Sequence, residues 1–171
     1  MSTSTKSAAP IVKNTAEWLS EMERLARRTT PSFFHLSCQL PKAGRTNQVL
    51  GATKMMSVVL KTYAEGGENE LHAHINEDHF FCILQGRAKF YGPNGEEREV
   101  GKNDCVLLPK GSLYWFHAIE GEPLVMLRVG AASEDETDVM ARVGADGQPL
   151  DGYSEANKEV PLVLDADRWF E

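Results

Sequence analysis

Short apolar segments separated by glycine and proline are the feature that most constrains the fold of this chain. They follow one another at intervals of roughly 8–12 residues, which is the spacing of strands in an all-β sandwich or barrel. A Gly-Pro-Asn-Gly sequence at residues 92–95 is typical of the tight turn of a β-hairpin. Alternating β and α units are disfavoured, so the sequence predicts an all-β fold of antiparallel sheets.

The sequence also predicts one short helix, over about residues 14–28. Asn14 or Thr15 can cap its N-terminus, apolar residues from Trp18 to Ala26 recur on one face, and Pro31 ends it. Extended segments are predicted at residues 32–40, 49–63, 79–85, 87–91, 96–100, 105–108, 113–119 and 123–129, with a turn at residues 42–47.

Charge and composition disfavour nucleic acid and membranes as binding partners of this chain. The 171 residues carry a net charge of −7 with scattered acidic groups, so the chain lacks the basic stripe by which proteins bind nucleic acid or an anionic membrane. No apolar run approaches the ~20 residues of a membrane span, and the N-terminus lacks the order of a signal peptide. The dispersed Cys38, Cys82 and Cys105 predict a cytoplasmic protein.

The stretch GGENELHAHINEDHFFCILQG at residues 66–86 contains three of the five histidines. His72 and His74 are two residues apart, and on a strand this spacing places both imidazoles on one face. His79 follows after a short turn as a third ligand, with Glu77 or Asp78 as competing carboxylates. Neutral imidazole suits zinc, copper, iron and nickel. The stretch therefore predicts a metal site on a β-scaffold.

The same stretch resembles the first motif of the cupin superfamily, which runs G, five residues, H-x-H, three or four residues, E, six residues, G. Gly66, His72, His74 and Gly86 fit this spacing, and His79 stands where the family has glutamate.

The second cupin motif runs G, five residues, P-x-G, two residues, H, three residues, N. Pro109 and Gly111 match it, whereas Tyr114 stands at the position of the histidine and Ala118 at that of the asparagine. The two motifs together are similar to those of a small single-domain cupin.

The resemblance implies a double-stranded β-helix, or jelly-roll barrel, with a short N-terminal helix. We expect the barrel at residues 51–130, an N-terminal extension at 1–50, and a C-terminal tail at 131–171 that packs on the barrel. Because family members commonly dimerise through edge strands or swapped termini, a homodimer is also implied.

The site residues follow from the motifs. His72, His74 and His79 are the expected ligands of a divalent metal ion, which is iron, zinc, nickel or manganese. Tyr114 is the expected catalytic residue, as a general acid or base, with a fourth-ligand role or simple cavity filling as alternatives. Strand alternation assigns further side chains to a substrate pocket, although any of them equally fits a plain core: Phe81, Ile83, Phe116 and Met56.

Two classes of function fit these residues, because the fold by itself does not decide between them. The first is a metal-dependent enzyme, most plausibly dioxygenase-like, that acts on a small organic acid or oxygenated aromatic. A lyase or isomerase that uses the metal as a Lewis acid is its alternative. The second class is a non-catalytic cupin that binds a small ligand.

Overall fold

The computed structural model describes residues 9–136, 138–153 and 160–171, and it confirms the helix. Helix α1 spans Thr15–Ala26. The side chain of Asn14 accepts a hydrogen bond from the backbone N–H of Glu17 at 2.9 Å, which satisfies one of the unpaired donors of the first turn. Its buried residues are Trp18 and Leu25.

The remaining regular structure consists of strands. In chain order they are β1 Cys38–Ala43, β2 Arg45–Ala52, β3 Met56–Tyr63, β4 Gly67–His74, β5 Asp78–Gln85, β6 Arg87–Tyr91, β7 Glu97–Gly101, β8 Cys105–Leu108, β9 Tyr114–Ala118, β10 Leu124–Ala131, β11 Arg142–Gly144 and β12 Val163–Phe170.

The strands form two five-stranded antiparallel sheets and a two-stranded ribbon. Sheet I has the order β2-β3-β10-β5-β8, sheet II has the order β11-β4-β9-β6-β7, and the ribbon pairs β1 with β12. Apart from the consecutive pairs β2-β3 and β6-β7, neighbours in each sheet are far apart in sequence, as in a jelly roll. The predicted all-β jelly-roll fold is confirmed.

Strand register divides the barrel interior into an apolar part and a polar part. The apolar part is a packed cluster of inward-facing residues from both sheets: Tyr63, Phe81, Ile83, Ala88, Phe90, Val100, Tyr114, Phe116, Leu124 and Met126. On the same inner face of sheet I, toward the other end of its strands, lie Asn47, Lys61, His79 and Arg128, all buried. The polar end is therefore where a site can form.

The terminal segments complete the fold. Cys38 and Leu40 of the ribbon pack with Leu60 and Val125 on one side of sheet I. Helix α1 packs Trp18 and Leu25 against Val49 and Val59. Both contacts bury apolar surface that the sheet would otherwise expose to water.

The predicted boundary of the barrel at residue 51 is displaced, because sheet I already begins at Arg45. The predicted turn at residues 42–47 is a single glycine between two strands, Gly44, which has a φ of +77°. The start of β2 is not recognisable as a strand from the sequence, because polar residues occupy both of its faces there. These residues are hydrogen-bonded in the fold; for example, the hydroxyls of Thr46 and Thr62 lie 2.6 Å apart.

Two further expectations change. Residues 31–37, predicted as part of an extended strand, are irregular, and Phe33 among them is exposed. The C-terminal tail contributes strands of its own, because β11 pairs with β4 and β12 pairs with β1.

Candidate metal centre and its cavity

The paired histidines lie on a strand, as their spacing predicts. His72 and His74 are on β4 and both are buried. His72 is opposite Tyr114 of β9, and His74 is opposite Arg142 of β11. Because β4 is followed by a short turn into β5, His79 returns to the same end of the barrel from the other sheet.

Three side chains converge there. One ligand atom each of His74, Glu77 and His79 lies within 4.8 Å of the others, and all three residues are buried. His79 Nε2 is 2.7 Å from Glu77 Oε1, and His74 Nδ1 is 3.8 Å from the same oxygen. The structure thus brings both of the alternative third ligands, His79 and Glu77, into one cluster. The third alternative, Asp78, instead accepts a hydrogen bond from the backbone of Lys110 at 2.7 Å and is exposed.

His72 lies beside this cluster. Its ring centroid is 5.3 Å from that of His74, and its Nδ1 is 2.7 Å from the carbonyl oxygen of Glu70. A carbonyl oxygen only accepts, so Nδ1 carries the hydrogen and Nε2 is the nitrogen available as a ligand in the neutral ring. Metal-binding histidines commonly have this arrangement, because it fixes the tautomer and orients the ring.

A buried arginine completes the cluster. Arg128 of β10 donates from Nη2 to Glu77 Oε1, lies 2.5 Å from His79 Nε2, and donates from Nη1 to Ser57 Oγ at 2.8 Å. Burial raises the pKa of the Glu77 carboxyl above its ordinary value, whereas the nearby Arg128 acts in the opposite direction. Arg128 therefore compensates the charge of the one carboxylate in the cluster.

Gly130 makes room for this ion pair. It lies opposite His79 in the register of β10 and β5. A Cβ at Gly130 would overlap Glu77 Oε2 and would lie 2.9 Å from Nη1 of Arg128. Only glycine allows the carboxylate and the guanidinium to approach this backbone so closely.

The cluster opens into a cavity of about 370 Å³. His74 and His79 are on its wall. Basic side chains line it as well, namely Arg45, Lys61, Arg128 and Arg142. Part of its rim comes from helix α1, through Trp18, and part from the C-terminal segment at residues 149–153. The volume is at the lower end of those of small-molecule sites.

The expected pocket residues are placed differently. Phe81, Ile83 and Phe116 are fully buried in the apolar cluster, and none of them lines the cavity, because this part of the barrel is filled by side chains. Met56 is 45% exposed, since even-numbered residues of β3 face outward from the barrel. None of these four residues lines this cavity, and their assignment to a substrate pocket stays a prediction.

Tyr114 is buried next to the histidines rather than on the cavity wall. Its ring centroid lies 4.6 Å from that of His72 and 6.4 Å from that of His74. This position allows the ring of Tyr114 to support His72 by packing.

Several cavity residues were not identified from the sequence, among them Arg45, Lys61, Arg128 and Tyr153. A basic residue inside an apolar strand, such as Arg128 in Leu-Val-Met-Leu-Arg-Val, is the one signal that the sequence contained, because a buried charge requires a partner. Arg45 and Tyr153 carry no comparable signal, since they belong to polar surroundings and meet only in the folded chain.

The fold and the site define a class: a jelly-roll β-protein with imidazole and carboxylate donors at one end of its barrel. Residues 59–130 match the family model described as a cupin domain. The predicted resemblance to the cupin superfamily is therefore confirmed over these residues.

Two solved structures, with TM-scores of 0.51 and 0.50, support the fold, and a third is reported for its likeness only. The polyketide cyclase RemF from Streptomyces resistomycificus is 18% identical with a TM-score of 0.51, over 61% of this chain and 81% of that chain. A Streptomyces PAC13 variant with uridine is 18% identical with a TM-score of 0.50, over 68% of this chain and 92% of that chain. The Schizosaccharomyces pombe Cnp3 cupin domain is 16% identical with a TM-score of 0.47, over 52% of this chain and 61% of that chain.

At these identities the likeness concerns the fold alone. No curated protein sequence matches this chain. Within the described residues, no helix has the length and apolar character required to cross a membrane.

Proposed function

We propose that this protein is a metal-dependent cupin enzyme that acts on a small organic acid or oxygenated aromatic, with dioxygenase-like chemistry. The observation that carries the proposal is the convergence of His74, Glu77 and His79, whose ligand atoms lie within 4.8 Å of one another. Two imidazoles and one carboxylate with open positions are the donor set of non-haem Fe(II) oxygenases.

The donor set fits a divalent ion. His74, Glu77 and His79 would hold it, and His72 is the candidate fourth ligand because its Nδ1 is held at 2.7 Å from a backbone carbonyl. When bound, the metal would act as a Lewis acid on a substrate oxygen and, as iron, would supply oxygen chemistry.

The protein residues have separate roles in this proposal. Glu77 would be a ligand of the cation as well as the partner of Arg128, and Arg128 lines the cavity, where it can bind an anionic group. Tyr114 packs on His72 and supports that ring, and its role as a general acid or base stays a prediction. The apolar cluster below the site excludes water from the donors.

A second function is favoured by the contact between Glu77 and Arg128. Because this ion pair satisfies the buried carboxylate by itself, the same cavity can serve as a metal-free binding site for a small ligand. A lyase or isomerase would use the same residues as the oxygenase and differs only in the reaction.

Metal analysis tests the proposal. The purified protein is reconstituted anaerobically with Fe(II), Zn(II), Ni(II) or Mn(II) in turn, and bound metal is measured by mass spectrometry after desalting. About one ion per chain is expected. His74→Ala should lose it. His117→Ala, which changes a histidine of β9 whose ring centroid lies 5.4 Å from that of Tyr91, should retain it.

Oxygen uptake of the Fe(II) protein with catechols and diketones then separates the reactions. Uptake that requires His74 supports the oxygenase. Metal binding without uptake favours the lyase or isomerase. Absence of metal, with ligand-dependent thermal stabilisation and no product, supports the binding protein instead.

The homodimer and the cytoplasmic location are part of the same proposal. The three cysteines are free thiols, as expected in a reducing compartment. Sedimentation of the purified protein measures the oligomeric state directly.

A further inference from the structure

The cavity is positively charged although the protein is acidic. Its described lining contains four cationic side chains, Arg45, Lys61, Arg128 and Arg142, and two carboxylates, Asp138 and Asp151. Both carboxylates are at exposed positions, whereas Lys61 is 5% exposed and Arg128 is 3% exposed. Glu77, which pairs with Arg128, adds a third carboxylate, so the four cations still exceed the carboxylates by one. The net charge of the whole chain is −7, so this excess of positive charge is a local property of the cavity.

Lys61 supplies one of the two buried positive charges. It projects from β3 toward the inner face of sheet I, and its Nζ lies 5.7 Å from the ring centroid of Tyr63 and 5.9 Å from that of Phe81. The cationic group therefore lies where the apolar cluster meets the cavity. An ammonium group in such a low-dielectric position interacts strongly with an anion that enters the cavity.

Two arginines lie at the mouth. Arg45 Nη2 donates to the carbonyl oxygen of Gly152 at 2.6 Å, and its guanidinium lies 5.4 Å from the ring centroid of Tyr153. The guanidinium of Arg142 also packs on Gly152, since a Cβ at that glycine would lie 2.9 Å from its Cζ. Both guanidinium groups are thus held by the segment that forms the rim, and a planar guanidinium can bind a carboxylate through two hydrogen bonds.

The cavity also has an apolar part. Trp18, Met140, Val143 and Leu150 line it. A phosphorylated ligand is hydrated over most of its surface and would gain nothing from this wall, whereas the hydrocarbon body of an organic acid would be desolvated by it.

We infer that the ligand of this cavity carries a carboxylate, which is bound by Lys61 and Arg142, with its hydrocarbon body against Trp18. The inference names the substrate class of the proposed enzyme. It rests on the proposed function only because both concern the same cavity. It assigns Lys61 and Arg142 as specificity-determining residues. The two sides of the cavity then have different tasks: the histidines hold the metal, and the basic residues select the acid.

Calorimetric titration of the full-length protein with benzoate and with its neutral counterpart benzamide tests the inference. Acetate with acetamide gives a second matched pair, and inorganic phosphate is titrated separately. Benzoate should bind at least tenfold more tightly than benzamide. Lys61→Met and Arg142→Gln should each weaken benzoate binding at least tenfold and leave benzamide binding within twofold.

Lys102→Met, which removes an exposed lysine outside the cavity, is the control and should leave both affinities unchanged. Circular dichroism checks that the variants fold; Arg142 is on a short strand at the edge of sheet II, so its replacement remains informative if Lys61→Met does not fold.

The inference is overturned if benzoate and acetate bind no more tightly than their amides. It is also overturned if phosphate binds more tightly than either carboxylate and displaces benzoate. Metal content is measured on the same samples. If benzoate binds selectively and no metal is bound, the carboxylate site is supported and the metal-dependent function is rejected. If metal is bound and the acid and its amide bind with equal affinity, only the carboxylate site is rejected.

Discussion

Arg128 is the residue on which the electrostatics of the site depend most. It is buried, bonds Glu77 and Ser57, and lies 5.7 Å from the Trp18 ring centroid. In that position the guanidinium of Arg128 and the carboxylate of Glu77 have both lost their hydration. Each buried charge therefore requires an opposite charge beside it.

Replacing Arg128 by methionine should therefore destabilise the protein by about 3–5 kcal/mol, because Glu77 is left buried without its compensating charge. A metal ion supplies the same compensation, so added Zn(II) should raise the melting temperature of Arg128→Met by more than that of the wild type. Urea unfolding and thermal melts measure both effects. Arg98→Met, at an exposed position of β7, should change neither. A zinc-induced shift equal to that of the wild type would contradict the role given to Glu77.

Cys38 links stability to pH. Burial raises the pKa of its thiol to about 12 in the folded chain, compared with about 8.5 for a free thiol. Above the lower value the unfolded chain releases this proton and the folded chain keeps it, so the folded state binds more protons and its stability falls as pH rises.

This group alone should lower the free energy of unfolding by up to about 1.4 kcal/mol per pH unit between its two pKa values. Urea unfolding of the wild type and of Cys38→Ala at pH 8, 9 and 10 isolates the contribution, because all other titrating groups are shared. The stability difference between the two proteins should narrow as pH rises. A constant difference would show that the thiol titrates alike in both states.

At the scale of the elements, β10 organises the site. It lies between β3 and β5 in sheet I, and its inner face carries Met126 in the apolar cluster, Arg128 at the ion pair, and Gly130 opposite His79. One strand therefore passes from packed core to functional site in five residues. Because Gly130 has no side chain, the turn that carries Glu77 can pack against the backbone of β10 at this position.

Gly130→Ala should consequently destabilise the fold by about 1–3 kcal/mol, because the added methyl group overlaps Glu77 Oε2 and crowds Arg128. Metal binding should weaken in parallel, since the carboxylate is displaced. Gly51→Ala is the matched control: a Cβ there meets only Phe34 Cε1 at 3.5 Å, an ordinary contact. Equal stability losses in the two variants would argue against close packing at Gly130.

At the scale of the whole molecule, the cavity is closed by segments from both ends of the chain. Helix α1 contributes Trp18, and residues 149–153 contribute the opposite rim. Asp151 joins them, because its carboxylate accepts hydrogen bonds from the hydroxyl of Thr15 at 3.2 Å and from the backbone N–H of Tyr153 at 3.0 Å. The barrel thus supplies the donors, and the extensions give the cavity its walls.

Asp151→Ala should loosen this rim without unfolding the barrel. Amide hydrogen exchange of residues 150–153 should become at least tenfold faster, and exchange in β5 should stay the same, because the lost hydrogen bonds are local to the rim. Asp167→Ala, at an exposed position of β12, is the control. Faster exchange throughout sheet I would show that the segment is part of the global fold instead.

The local pattern of residues determined the elements of this protein. Alternation and turn residues identify the hairpin of β6 and β7, the cap at Asn14 identifies α1, and the i, i+2 spacing of His72 and His74 is sufficient to place both imidazoles on one strand face. Each of these features depends on residues that are close in sequence, so a short segment of the chain is sufficient to predict it.

Only the tertiary structure decided which side chains surround those imidazoles. Glu77 was one of three alternatives until the fold placed it against Arg128, 51 residues away, and Arg45 reaches Gly152 across 107 residues. No local preference encodes such pairs, since a buried charge is stabilised by whichever partner the packed sheets bring to it. For the same reason Phe81, Ile83 and Phe116 share the alternation of a cavity wall and yet form the filled core, because the volume between two sheets is a property of all their side chains together.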